Sequence, residues 1–414
     1  MRALLSTIGS RGDVQPIVAL ALQLKERGHE ARICAPPDFK DWITDLGISF
    51  VPVGPEVRQT ATKPAAPQTA PSPDQIRQIM EATVAGQFQA ISPATDDCDV
   101  AVAGMSLQFA LHSLAEQRGI PYVYAAWCPI TLPSPRHAPP PLPAWAQPQQ
   151  ENTDNPTLWA QEAKRWNDHW RSAIDSQRAA LGLGPVSDVR NHIMTGRPWL
   201  AADQALAPWP NVPGDTPSDL DVVQTGAWIL PDQRPLSPEL EAFLDAGDPP
   251  VYFGFGSMRA TPDLNTAMIT AARSVGRRAI LSRGWAGISL PDDGPDCLLI
   301  GEENLQALFR RVAAAVHHGG AGTTTAAALA GAPQVVVPQI YDQHYWARRV
   351  HELGIGAAHA PGAPSAESLS EALSLTLEPG IMARTRTFAS SVRTDGAEIA
   401  ARRLIEEFAS HKKL

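Results

Sequence analysis

Residues 3–28, ALLSTIGSRGDVQPIVALALQLKERG, open with a short, mostly apolar run and break at Gly9-Ser10-Arg11-Gly12-Asp13. Apolar residues then resume at Ile17, Leu20, Ala21 and Leu24. The opening run suits a strand buried on both faces, and the three- and four-residue spacing suits an amphipathic helix ended by Gly28. The unit is strand, glycine loop, helix. It repeats outward as EARICAP (30–36), DWITDLG (41–47), SFVPVG (49–54), a helical stretch from Asp74 to about Ile91, DVAVAG (99–104), LQFALHSLAEQRG (107–119) and PYVYAAW (121–127). Such alternation predicts a parallel sheet covered by helices on both faces.

Two Pro-rich stretches, Pro52–Pro73 and Pro129–Pro148, interrupt the pattern and read as surface loops. Residues 155–184 form a long amphipathic stretch with Trp159, Trp166 and Trp170 on one helical face, for which core packing is the simplest reading. After a loop-rich segment the alternation resumes at VYFGFGS (251–257) and runs through RAILSRG, CLLIG, AAAVHHGG, TTTAAALAG and QVVVPQ to HYWARRVHELG (344–354). This predicts an α/β chain with two doubly wound, Rossmann-like domains facing a cleft. The expected divisions are residues 1–215, a linker 216–234, a second domain 235–390 and a final helical segment 391–414. Ligands of open α/β sheets bind at the carboxyl ends of the strands, so the chemistry is sought in those loops.

The 414 residues are 44% hydrophobic and 19% charged, the balance of a folded globular chain. A net charge of −9 supplies no basic field for nucleic acid. No run approaches the ~18 apolar residues of a membrane span, and MRALLSTIGSRGD lacks a cleavage pattern, so the cytoplasm is the expected compartment. Cys34, Cys98, Cys128 and Cys297 are too scattered for a zinc motif or a disulfide framework.

The strongest local signal is His317-His318-Gly319-Gly320-Ala321-Gly322-Thr323-Thr324-Thr325, between an apolar run and an Ala-rich helix. Glycines let the backbone approach an anion, the helix start adds positive potential, and hydroxyls and imidazole supply donors, so a diphosphate fits. The P-loop lysine is missing, which disfavours ATP or GTP hydrolysis. Gly254-Phe255-Gly256-Ser257 is a second glycine loop that departs from the G-x-G-x-x-G of dinucleotide binders. Asp13 reads equally as a helix N-cap or as a general base aimed into the cleft. Asp342-Gln343 reads equally as a helix start or as a pair holding sugar hydroxyls. His344, His351 and His359 make no metal-ligand spacing, and none is expected.

GSRGDVQP, GFGS, HHGGAGTT and the Asp342-Gln343 pair after QVVVPQIY resemble, in order and separation over nearly the whole chain, the inverting glycosyltransferases of GT-B fold. GAWILPD, RPLSPELEAFLDAG, LSRGW, LPDDGPDC and APPPLP further resemble the bacterial enzymes that glycosylate glycopeptide-antibiotic aglycones of the vancomycin and teicoplanin group. The resemblance implies an N-terminal acceptor domain, a C-terminal donor domain, and a last helix that returns to the first. It implies Asp13 as base, with Asp342 also catalytic. His318, Gly320, Gly322, Thr323 and Ser257 would hold the donor diphosphate, with Ser10 and Arg11 approaching from the other domain. Asp342 and Gln343 would contact the donor sugar, and Trp285 and Asn304 the nucleotide base and ribose. The co-substrate would be a UDP- or dTDP-hexose, the acceptor a glycopeptide aglycone, with no cofactor or metal and a monomer as the default. Sterol or macrolide acceptors, a nicotinamide-dependent oxidoreductase and a silent nucleotide-sugar binder are the competing expectations.

Overall fold

The computed structural model describes residues 1–58, 72–105, 107–140, 153–210, 220–256, 262–285, 287–292, 294–360 and 363–409. β1 (Arg2–Thr7) feeds α1 (Arg11–Glu26), then β2 (Glu30–Ala35), α2 (Lys40–Asp45), β3 (Ser49–Pro52) and α3 (Pro73–Ile91). β4 (Val100–Gly104), α4 (Leu111–Arg118), β5 (Tyr122–Ala126), α5 (Asn155–Ala180), α6 (Val189–Met194), β6 (Trp199–Leu200) and β7 (Val223–Gln224) complete the first unit. Its strands lie in the order β3-β2-β1-β4-β5-β6-β7, all parallel. Successive side chains of β1 point to opposite faces. Leu4 packs with α3, α4 and α5, while Ala3 and Leu5 pack with Ile17, Leu20 and Leu24 of α1.

The second unit runs α7 (Pro238–Asp245), β8 (Val251–Gly254), α8 (Pro262–Ser274), β9 (Ala279–Ser282), β10 (Cys297–Ile300), α9 (Leu305–Leu308), β11 (Ala314–His317), α10 (Ala321–Ala330) and β12 (Gln334–Val336). It continues with α11 (Gln343–Glu352), β13 (Gly356–Ala358), α12 (Ala366–Thr376) and α13 (Pro379–Ala389). Its parallel sheet has the order β10-β9-β8-β11-β12-β13. Each sheet therefore reverses direction at one place, between β1 and β4 and between β8 and β11, where α/β sheets open a crevice for ligands.

The first sheet extends to Gln224, so the boundary expected at residue 215 falls inside the first domain, and the linker starts about ten residues later. β6 and β7 are two residues each, too short to show an alternation. The final helix, α14 (Gly396–Phe408), packs on α1. Ala397, Ala400, Ala401 and Leu404 join the α1 face of the first core, and Arg27 pairs with Glu398 at 3.0 Å. Its start fits closely against the first domain's exit: a Cβ on Gly396 would stand 2.4 Å from the Ala227 carbonyl oxygen. Among the described residues no helix is long and apolar enough to cross a membrane.

Candidate active site

Loops from the carboxyl ends of both sheets line one cleft of about 2020 Å³. From the first domain come Ser10, Arg11 and Asp13 after β1, and from the second come Gly256, Trp285, His318, Gly320, Gly322, Thr323, Asp342 and Gln343. The Gly9–Asp13 loop of the first domain and the His318–Thr323 loop of the second thus meet in the same space, whereas Ser257 lies outside the described residues.

Asp13 stands at the third position of α1, with Ser10 at the N-cap, so Asp13 is not itself the cap. Its Oδ2 accepts the Ser10 backbone N–H at 2.8 Å and the Ser10 hydroxyl at 3.4 Å. This is the reach-back half of a capping box, and it fixes the carboxylate in place. Gly9 makes the room: a Cβ there would lie 2.1 Å from Asp13 Oδ2. Burial pushes the Asp13 carboxyl up to about 7, with the charge of Asp342 across the cleft adding to the rise and the Ser10 N–H opposing it. A carboxyl so poised exchanges a proton near neutral pH.

On the other side, His317 is fully buried and holds the turn. The Gly319 N–H donates to its Nδ1 at 3.0 Å, so its Nε2 carries the proton and donates to Gln334 at 2.9 Å. His318 instead lines the cleft, its ring slotted between glycines. A Cβ on Gly320 would come 2.8 Å from its Nε2, and one on Gly256 3.0 Å from its Cε1. Burial lowers His318 to about 4, so a neutral imidazole is presented. Gly320 is the N-cap of α10 and brings no capping side chain, which leaves the first N–H groups of a ten-residue helix for a ligand. Thr324 and Thr325 return their hydroxyls to the carbonyls of Gly320 and Ala321, and Thr323 and Thr325 line the cleft.

Asp342 is the N-cap of α11, but its carboxylate accepts the Trp346 indole N–H at 3.0 Å instead of capping. Burial raises it to about 6, against the effect of that hydrogen bond. Gln343 commits its Oε1 to the N–H groups of Gln339 and Ile340, at 2.8 and 3.1 Å, and so shapes the loop before the helix.

Two arginines of the first domain reach across to the second. Arg11 pairs with Glu302 at 2.7 Å while lying 4.0 Å over the Trp42 ring, and Arg58 lies 5.6 Å over the ring of Trp285. Arg11 is therefore anchored to a carboxylate of the second domain, a contact with no signal in the sequence. Asn304 is a correction. It is buried, its Oδ1 caps α9 through Ala307 N, and its Nδ2 donates to the carbonyls of Asp232 and Arg234, so it ties down the linker and does not line the cleft. Its neighbours Glu302, Glu303 and Gln306 line the cleft in its place.

Among the described residues, the one group of three potential metal ligands is Asp292, Asp296 and Cys297, outside the cleft lining, and Arg273 already bonds both carboxylates.

Residues 3–134 match the glycosyltransferase family 28 N-terminal domain, and residues 289–402 match the C-terminal domain of erythromycin biosynthesis protein CIII-like proteins. The chain is 52% identical to the glycosyltransferase GtfE of Amycolatopsis orientalis, over 97% of this chain and 96% of that protein. It is 48% identical to the vancomycin aglycone glucosyltransferase of the same organism, covering 100% and 99%. It is 44% identical to its dTDP-epi-vancosaminyltransferase, covering 94% and 92%. Among solved structures, the kitacinnamycin glycotransferase superposes with a TM-score of 0.72 at 18% identity, covering 98% of this chain and 99% of that one. The calicheamicin glycosyltransferase CalG4 gives 0.68 at 17%, covering 100% and 99%.

Proposed function

Because this chain belongs to the GT-B glycosyltransferases of the vancomycin group, we propose that it moves a hexose from a UDP- or dTDP-hexose onto a hydroxyl of a glycopeptide aglycone, with inversion at the anomeric carbon. The observation that carries the reading is the opposition of Asp13 and the His318–Thr323 loop across one cleft. Asp13 takes the proton of the acceptor hydroxyl as its oxygen attacks the anomeric carbon. The bond from that carbon to the diphosphate breaks on the opposite face, and the electron pair leaves with the nucleotide diphosphate.

Negative charge grows on the leaving group. The N–H groups and dipole of α10, the Thr323 hydroxyl and a neutral His318 oppose it, as preorganised donors do at other developing anions. Hydrogen bonds to charged groups contribute about 1.5–3 kcal/mol each, so a handful supports a reaction without a divalent cation. Asp342 and Gln343 take the donor sugar's hydroxyls, and Trp285 the base. One chain supplies both walls of the cleft, which supports action as a monomer.

The test is calorimetric titration of EDTA-treated protein with UDP, dTDP, NADH and ATP, followed by transfer assays on a glycopeptide heptapeptide aglycone. The expected result is metal-independent binding of a pyrimidine diphosphate and a β-linked product from an α-linked donor. NADH binding without either pyrimidine diphosphate, or a product that retains configuration, overturns it.

A further inference from the structure

α5 forms a wall of the cleft on the first-domain side. Its N-cap Asp154 accepts the Thr157 N–H at 2.8 Å, and the helix then runs for 26 residues without a break. Steps of four place Glu162, Trp166 and Trp170 in one stripe and Arg165 and His169 in the next, and all five line the cleft. Trp159, one turn earlier, also borders the cleft but is only 5% exposed, whereas Trp166 and Trp170 are half-buried. Trp170 is backed by Phe109, stacked with ring centroids 4.1 Å apart, so it stands as a rigid plate. Half-buried indoles on a cavity wall are a ready platform for rings of a ligand.

The charges along this helix are distinctive. Lys164 pairs with Asp168, Arg171 donates to the Ser187 carbonyl, and Arg178 pairs with Glu116. Glu162 gives one oxygen to Trp166 and the other to Arg190, in an ion pair whose side chains are 11% and 10% exposed. Arg165 alone among the charged residues of the helix has neither ion pair nor side-chain hydrogen bond among the described residues; its charge acts on the Glu162 carboxylate, which is already bonded to Trp166 and Arg190, and its Nε is buried without a partner. A half-buried guanidinium in that state lacks the anion its planar fork matches.

We infer that this wall is the acceptor subsite for an aromatic peptide with a free carboxylate, its rings on Trp166 and Trp170 and its carboxylate on Arg165. The inference rests on the glycopeptide reading above, since a peptide scaffold supplies both groups, and it adds what fixes the acceptor's orientation. The carboxylate end held at Arg165 and the hydroxyl brought to Asp13 define a reading direction along the cleft.

The experiment compares a glycopeptide aglycone with its C-terminal methylamide as acceptors. The wild-type enzyme is expected to show a KM about tenfold lower for the free acid, the effect of one charge-assisted bond at a half-exposed site. Arg165→Gln brings the acid-to-amide ratio to about one. Trp170→Ala raises KM for both forms, and Trp170→Phe, which keeps the stack on Phe109, recovers most of the loss. UDP affinity, read by calorimetry, stays constant in all three variants and shows that they are folded. If neither aglycone form is a substrate, the glycopeptide reading fails on its own. The subsite is then read by fluorescence titration with 7-hydroxycoumarin-3-carboxylate and its carboxamide. Equal wild-type affinity for acid and amide in the pair that binds, or an unchanged ratio in Arg165→Gln, overturns the inference.

Discussion

The two strand-to-helix junctions that meet in the cleft solve opposite problems with the same local geometry. At β1–α1 the backbone serves a side chain: the Ser10 N–H and the missing Cβ of Gly9 hold one carboxylate in place. At β11–α10 the side chains serve the backbone: His317 braces the turn, Thr324 and Thr325 bond inward, and the bare helix start is left facing the cleft. On the function proposed above, the first junction moves a proton and the second holds charge. A change at either should therefore separate chemistry from donor binding.

The largest expected effect follows from Asp13→Asn. Transfer falls by about 10²–10⁴-fold, the usual contribution of a positioned base, while UDP affinity changes only a few-fold because the Asn carbonyl still accepts the Ser10 N–H. Turnover at the wild-type rate would remove Asp13 from the chemistry. Next comes Gly320→Ala. Its methyl would drive into His318 Nε2, so UDP binding should weaken by about tenfold, the scale of one hydrogen bond to a charged group, and calorimetry with intact affinity would show that His318 does not touch the diphosphate.

The smallest effect is on pH dependence. With Asp13 raised to about 7, kcat/KM should fall on the acid side with an apparent pKa near 7, since the base must be ionised in the free enzyme. Asp342 contributes to that rise through its negative charge, so Asp342→Asn should move the acid limb to lower pH. A limb that stays in place, or moves up, breaks the electrostatic link between the junctions. The same raised pKa carries a stability sign. A carboxyl whose folded pKa exceeds its unfolded value contributes stability below about 4 and loses it as pH rises through about 7, so Asp13→Asn should melt higher than wild type at pH 8 and equally at pH 4.

What was legible in the sequence divides along the same line. Backbone-built features announce themselves through glycine and apolar periodicity: residues 3–28 and 313–331 give both junctions, and the alternation over 30–127 and 251–354 gives both sheets and the cleft between them. Features built from long-range side-chain contacts do not. Asn304 enters as a nucleotide contact through the family resemblance alone, which does not tell a buried amide from an exposed one, and its four-residue helix gives no face to judge. The Arg11–Glu302 pair joins residues 291 apart. β6 and β7 escape because two residues cannot alternate. The Trp159, Trp166 and Trp170 stripe reads as core, yet all three border the cleft, and only Trp159 is nearly covered, because apolar spacing on a helix does not tell a core from a cavity wall.

The return of α14 to the first core means that the first half of the protein is not a contiguous stretch of chain. A chimera cut once in the linker would import a foreign last helix into the packing beside Ile17 and Leu24, and would have to find room for any residue larger than glycine at position 396. The exchangeable second unit is an internal segment with two junctions, one after Gln224 and one before Gly396. The two crossings also run side by side, with Gly396 against Gly226 and Ala227, so the halves are joined by a two-stranded strap.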